Sequence, residues 1–177
     1  MTEIGTARLR LRRPRAGDIP DLVALNTDPA VMRHIGGGAQ SPRAAAVWAR
    51  RRIAVPAARG LGVRIVEGRE TGAFLGLAGL VRFGGGTEVE LAYRLGRHAW
   101  GRGIATEVGV GLIDAGFDRL GLACIVAVAG ADNQASLGVL AKLGFRSRGT
   151  RRAYGQADCP YFRLARADWR ADRRGRA

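Results

Sequence analysis

The chain is poor in the residues that build metal centres and disulfide frameworks. Two cysteines, Cys124 and Cys159, and two histidines, His34 and His98, are scattered through 177 residues. That scatter offers no metal-ligand spacing and no disulfide framework. Lysine occurs once, as Lys142, and aromatic residues make up 6%. The low aromatic content argues against base-stacking recognition of nucleic acid. No apolar run approaches the roughly 18 residues that a membrane span needs. The opening "MTEIGTARLRLRRPR" has no apolar signal core, so a cytoplasmic, non-membrane protein is the expectation.

What is present is arginine, glycine and alanine. The 29 basic residues outnumber 15 acidic ones, for a formal charge of +14. The arginines are dispersed and cluster only at "ARRRI" (Ala49–Ile53) and in the tail "ADWRADRRGRA". Dispersed charge with arginine replacing lysine fits a coding bias better than a polyanion site. A positive field would still draw in a phosphorylated small molecule. At 47% hydrophobic, the chain can bury a core. One domain over residues 1–170 is expected, followed by a basic, flexible tail at 171–177.

Periodicity orders the elements. "ARLRLRR" (Ala7–Arg13) alternates as a strand. Asp18 with Pro20, Asp28 with Pro29, and Ser41 with Pro42 read as helix starts. The last opens an alanine-rich helix that Pro56 should stop. "GVRIVE" and "AFLGLAGLVRF" read as a hairpin, and Gly84–Gly86 turn into the strand "TEVELAYRL". Residues 103–120 show Ile104, Val108 and Leu112 on one helical stripe, interrupted by Gly109, Gly111 and Gly116. Glycines there suit close packing on a sheet. "ACIVAVA" (Ala123–Ala129) is apolar throughout, as in a central strand covered on both faces. "NQASLGVLAKLG" is a second helix, capped by Asn133 and ended by Gly144. "FRSRGTRRAY" and "YFRLARA" read as late strands around the turn "GQAD". The tail should fray from about Asp168. The fold class is therefore α/β, a mixed α+β sheet that is mostly antiparallel with one parallel strand–helix–strand crossover.

The corner of that crossover is "WGRGIATE" (Trp100–Glu107). A helix N-terminus leaves about four N–H groups unpaired, and its dipole favours an anion. Glycines let an anion approach those groups, and Arg102 adds a cation. The stretch is neither a P-loop nor a dinucleotide fingerprint, since Thr106 replaces the last glycine. Read by itself it is an anion site or only a tight turn.

The order "ELAYRL", "WGRGIATE", "AGF", buried strand, "NQAS", "KLGF" resembles the GNAT (GCN5-related N-acetyltransferase) family. Within it, the sequence is similar to the branch holding the ribosomal-protein N-terminal acetyltransferases. The resemblance runs from "ARLRLRRPRAGD" to "YFRLARADW" and is most specific from Glu90 to Phe145. It implies an acyl-coenzyme A N-acyltransferase fold, with acetyl-coenzyme A as cosubstrate, an amine as acceptor and no metal. The pyrophosphate would lie on N–H groups from Gly101, Arg102, Gly103, Ile104, Ala105 and Thr106. The family pattern [QR]-x-x-G-x-[GA] maps onto Trp100, Gly103 and Ala105, and Trp100 departs from its first position. The resemblance also implies coenzyme contacts from Leu91, Tyr93 and Leu95.

Direct acetyl transfer to an amine needs a proton acceptor, N–H donors for the carbonyl oxygen, and a proton for the leaving thiolate. Period two puts Glu88, Glu90, Ala92 and Arg94 on one strand face, opposite Val89, Leu91, Tyr93 and Leu95. Glu90 is the candidate base, with Glu88 in reserve and His34 a remoter candidate; a solvated or arginine-paired carboxylate is the plain alternative. The implied oxyanion donor is a backbone N–H near Leu91 or Ala92. The wider family's tyrosine acid falls here on Leu140, which has no hydroxyl. The branch's Asn-x-x-Ser matches Asn133 and Ser136, which implies Ser136 as acid and Asn133 on the pantetheine; both also fit simple capping. Lys142 and Arg102 are candidates for the coenzyme phosphates. Cys124 reads as core. Cys159 lacks an adjacent base, and Trp48 and Trp169 read as packing residues.

Three functions compete: an N-acetyltransferase, a non-catalytic acyl-coenzyme A-binding module, and a basic nucleic-acid-associated protein. For the enzyme, the acceptor could be a protein N-terminal α-amine, an amino acid, an antibiotic or a polyamine. A homodimer is left open.

Overall fold

The computed structural model describes residues 3–54 and 60–174, the last three as backbone only. Pro56, the expected helix stop, lies outside the described residues. The chain runs β1 (Ile4–Gly5), β2 (Leu9–Arg12), α1 (Ile19–Thr27), α2 (Pro29–Met32), α3 (Pro42–Ala54), β3 (Gly62–Gly68), β4 (Phe74–Arg82) and β5 (Val89–Leu95). It continues α4 (Ile104–Asp114), β6 (Cys124–Val128), α5 (Gln134–Lys142), β7 (Arg146–Ala153), β8 (Gln156–Ala165) and α6 (Arg166–Arg174). The strands form one sheet in the order β1-β2-β3-β4-β5-β6-β8-β7. Every pairing is antiparallel except β5 with β6, the expected crossover.

Each face of the sheet is covered because its residues alternate. On one face Leu11, Val66, Leu80, Leu91 and Ile125 pack with Val108, Leu112 and Ile113 of α4 and Leu140 of α5. On the other, Ile65 and Leu77 pack with Leu22 and Leu25 of α1 and Ala49 of α3. Gly109 explains one of the glycines in α4. A Cβ there would stand 2.4 Å from Leu143 Cδ1, so the buried Leu143 side chain would have to shift to admit it. The tight contact offsets the helix propensity lost to glycine, about 1 kcal/mol.

Four expectations need correction. The Gly103–Leu120 helix is α-helical to Asp114 and then widens into a π turn, Ala115–Arg119, where Leu120 N–H reaches Ala115 O at 3.1 Å. Asp18 does not cap α1. Its carboxylate accepts from Arg15 N at 2.6 Å and takes a two-pronged contact from Arg12 at 2.9 and 2.7 Å. Charge pairing with Arg12 outcompetes the capping role. The last hairpin turns at Tyr154-Gly155 (φ 51 and 83), so Gln156–Asp158 belong to β8. Two consecutive left-handed residues match the turn twist that a hairpin prefers. Finally, the stretch from Asp168 is helical to Arg174. Buried Trp169 anchors it, donating from Nε1 to Asp114 Oδ1 at 2.9 Å.

Candidate active site

The site begins where two strands part. β5 and β6 share a single register pair, Glu90 with Val126, whereas β4 and β5 pair from Gly76–Leu95 to Arg82–Val89. Beyond Glu90 no residue of β5 is in register with β6, and residues 91–95 line open space instead. That opening is part of a cavity of about 940 Å³. Glu90, Leu91, Tyr93, Leu95, Trp100, Gly101, Gly103, Ile104, Ala105, Thr106, Asn133 and Ser136 all line it. Of the residues expected at the site, Arg102 and Lys142 do not. Arg102 is exposed and bends back to His98 O at 3.3 Å. Lys142 is exposed at the far end of α5, about 9 Å along the axis from Ser136.

The glycine corner has the geometry an anion needs. Gly101 (φ 70) and Gly103 (φ 73) are both left-handed, and Gly103 is the N-cap of α4 with no side-chain cap. The first intrahelical donor is Glu107 N–H, to Gly103 O at 3.1 Å. The N–H groups before it thus have no partner within the helix. Trp100 closes the corner by donating from Nε1 to Leu95 O at 2.9 Å. Arg8 supports it from β2's approach. Its Nη1 donates to Arg102 O at 3.1 Å and its Nε to Glu107 at 2.6 Å. No local pattern in the sequence marks Arg8 for this role, because 94 residues separate it from Arg102.

Glu90 is 3% exposed. Burial pushes its carboxyl up to about 7, against a hydrogen bond from the Tyr154 hydroxyl that pulls the other way. A carboxylate that titrates near neutrality can hold or release a proton under working conditions. Glu88, the reserve candidate, is engaged elsewhere: Tyr161 Oη donates to it at 2.6 Å and Arg151 lies at 3.7 Å. His34 lines the cavity and contacts Asp132 at 3.3 Å, linking the loop after α2 to the loop before α5. The loop after α2 also touches the last hairpin turn. A Cβ on Gly36 would meet Tyr154 O at 2.0 Å, so only glycine permits that approach.

A hydroxyl pair occupies the opposite face of β5. Tyr93 Oη and Ser136 Oγ are 2.8 Å apart. Burial pushes the Tyr93 phenol up and the Ser136 contact partly offsets it. Leu140 indeed supplies no hydroxyl, but Tyr93 delivers one to the same neighbourhood from a strand. Asn133 caps α5, its Oδ1 accepting from Ser136 N at 3.1 Å. Cys124 is half-buried and free; Cys159 is buried, lines the cavity, and donates to Gln156 Oε1 at 3.2 Å. Burial pushes the Cys159 thiol up, which disfavours a thiolate. Among the described residues, no cluster of His, Cys, Asp and Glu could hold a metal ion, and no helix is long and apolar enough to cross a membrane.

A mixed sheet split at one parallel pair, with a glycine-built helix corner on one side and a buried carboxylate on the other, defines an acyl-transfer scaffold. The chain belongs to the GNAT acetyltransferase family: the acetyltransferase (GNAT) domain matches residues 8–146. It is an acetyltransferase. YkkB of Bacillus subtilis (strain 168), an uncharacterized protein, is 30% identical over 165 residues, 92% of this chain and 95% of that one. The uncharacterized N-acetyltransferase p20 of Bacillus licheniformis is 41% identical over 68 residues, 38% of each chain. An acetyltransferase from Agrobacterium tumefaciens str. C58 has the same fold, with a TM-score of 0.80 at 24% identity over 94% of this chain and 95% of that one. So does RimL, a ribosomal L7/L12 alpha-N-protein acetyltransferase solved in complex with coenzyme A. Its TM-score is 0.75 at 17% identity, over 92% of this chain and 97% of that one.

Proposed function

We propose that the protein transfers an acetyl group from acetyl-coenzyme A to a primary amine by direct attack, with a protein N-terminal α-amine as the acceptor. The observation that carries this reading is Glu90: buried, raised to about 7, and set on the cavity wall where β5 leaves β6. The α-amine assignment draws on the likeness to RimL, a protein named for that acceptor.

Acetyl-coenzyme A, when bound, supplies the activated thioester. The residues present fit it. The first-turn N–H groups of α4, with Gly101 and Gly103 stripped of side chains, would hold the pyrophosphate. Leu91, Tyr93 and Leu95 would line the pantetheine path, with Asn133 at its side. Glu90 takes the proton that the amine gives up, directly or through water. A backbone N–H on the open edge near Leu91 or Ala92 would stabilise charge on the carbonyl oxygen. Ser136, backed by Tyr93, offers a proton to the departing sulfur. The cavity walls keep the reactants in line, which can supply much of the rate.

A small-molecule amine is the second reading. The contact of the Gly36 loop with the Tyr154 turn favours it, because it roofs the acceptor side and narrows what can enter. Thiol release from acetyl-coenzyme A, measured across short peptides, amino acids, polyamines and aminoglycosides with mass spectrometry of the products, tests both. Acetylated peptide N-termini support the first reading, and a single small-molecule class supports the second. Tight coenzyme binding without any transfer would favour a non-catalytic module.

A further inference from the structure

Arg94 has no task in the transfer just described. It lies four residues after Glu90 on the same face of β5, about 13 Å along the strand. Its Nη1 donates to Asn26 Oδ1, and its guanidinium sits 5.5 Å from the Trp48 ring. Arg52 sits 5.6 Å from that same ring. Among the described residues no carboxylate comes within ion-pair distance of Arg94. Its Nε is buried without a hydrogen-bond partner, as are Asn26 Nδ2 and Gln40 Oε1. Gln40 is tied to the same place by its N–H, which reaches Asn26 O at 2.9 Å.

A half-buried cation with a buried, unpartnered Nε and no counter-ion among the described residues is an expensive arrangement. Burial and the nearby charge of Arg52 pull Arg94 down to about 10, which leaves it charged at neutral pH. The cavity wall adds to the imbalance. Among the described residues, Arg33, Arg52, Arg82 and Arg94 line it against the single carboxylate of Glu90. Such a surface repels a simple cationic amine and attracts one that also carries negative charge.

We infer that the acceptor amine carries a carboxylate, and that Arg94, flanked by Arg52 on Trp48, binds it. This rests on reading Glu90 as the end of the cavity that receives the amine. The separation of Glu90 from Arg94 calls for more than one carbon between amine and carboxylate, so a free α-amino acid is too short. An acidic side chain near a peptide N-terminus and the terminal carboxylate of a short amino compound share the required chemistry.

The test uses full-length protein saturated with coenzyme A, titrated by calorimetry with two matched pairs. Ala-Ala-Asp-Ala amide against Ala-Ala-Asn-Ala amide reports a side-chain carboxylate. Ala-Ala-Ala acid against its amide reports a terminal one. At least one acidic member should bind about tenfold or more tightly than its neutral partner. Arg94→Gln should erase that preference, Arg94→Lys should keep part of it, and coenzyme affinity should stay unchanged in both. Equal binding of acidic and neutral members by the wild type overturns the inference, as does a preference that survives in Arg94→Gln. Acetylation followed in parallel separates the two claims. Carboxylate-dependent binding without transfer keeps the anion site and removes the acetylation reading for these acceptors. Transfer that ignores the carboxylate does the reverse.

Discussion

The hydroxyl of Tyr154 donates to Oε2 of Glu90, joining residues 64 apart in sequence. Tyr154 stands in a hairpin turn at φ 51, a left-handed conformation that a residue with a Cβ adopts only under constraint. Tyr154 is 56% exposed while Glu90 is 3% exposed. The turn thus holds a half-wet phenol over a dry carboxyl group. The hydrogen bond favours the charged carboxylate and burial opposes it, with burial the larger effect.

If Glu90 is the proton acceptor, the rate should rise with pH through about 7, as Glu90 loses its proton. Glu90→Gln should lower kcat by about 10²–10⁴ with coenzyme affinity unchanged. Steady-state kinetics across pH 5–9, with calorimetry of coenzyme binding, check both. Equal kcat in the two proteins removes Glu90 from the chemistry.

Tyr154→Phe removes the one contact that pulls the Glu90 carboxyl down. The carboxyl should then titrate higher, so the rising limb of the pH–rate profile should move to higher pH. A profile that keeps its midpoint while the plateau falls would make Tyr154 a substrate contact instead.

The raised Glu90 also has a sign for stability. Between its ordinary value near 4.5 and its folded value of about 7, the folded protein binds more protons than the unfolded chain. Stability therefore falls as pH rises through that window. Glu90→Gln should be the more stable protein at pH 8, by up to about 3 kcal/mol. Thermal melts at pH 5 and pH 8 measure the gap, which should be wider at pH 8.

Gly103→Asp and Gly103→Asn separate charge from backbone strain at the corner. Both residues tolerate a left-handed φ comparatively well, and a Cβ there meets only Arg8 Nη2 at 3.6 Å. Asp should weaken coenzyme A binding by more than tenfold beyond Asn, because it sets an anion against the pyrophosphate. Equal losses in calorimetry would mean that the corner binds no anion.

Trp169→Ala should destabilise the fold by about 3 kcal/mol, as expected for a buried aromatic side chain that also holds a hydrogen bond. Denaturant melts check this. A change under 0.5 kcal/mol would make α6 a dispensable appendage.

From β2 to β8 the order of strands and helices, the parallel crossover and the face of β5 that carries Glu90 were legible in the sequence, from local periodicity and from the unbroken apolar run of β6; the short β1 and the C-terminal helix α6 were not. Period two assigns a strand residue to a face, and a stripe at every fourth residue assigns a helix face. The glycine corner was legible for the same reason: Gly101 and Gly103 mark a local backbone need. Periodicity does not say what stands across from a face. Tyr154 over Glu90, Tyr93 beside Ser136, and Arg94 between Asn26 and Trp48 are meetings of elements 43 to 68 residues apart, or joined across α3. The same limit hid the turn at Tyr154, whose left-handed backbone is held by tertiary contacts, and the docking of Trp169, whose partner Asp114 lies 55 residues away. The raised pKa of Glu90 and the missing counter-ion of Arg94 belong to this second group. The first arises from desolvation and the second from which side chains the neighbouring elements bring near, and both are set by the elements that fold over a residue.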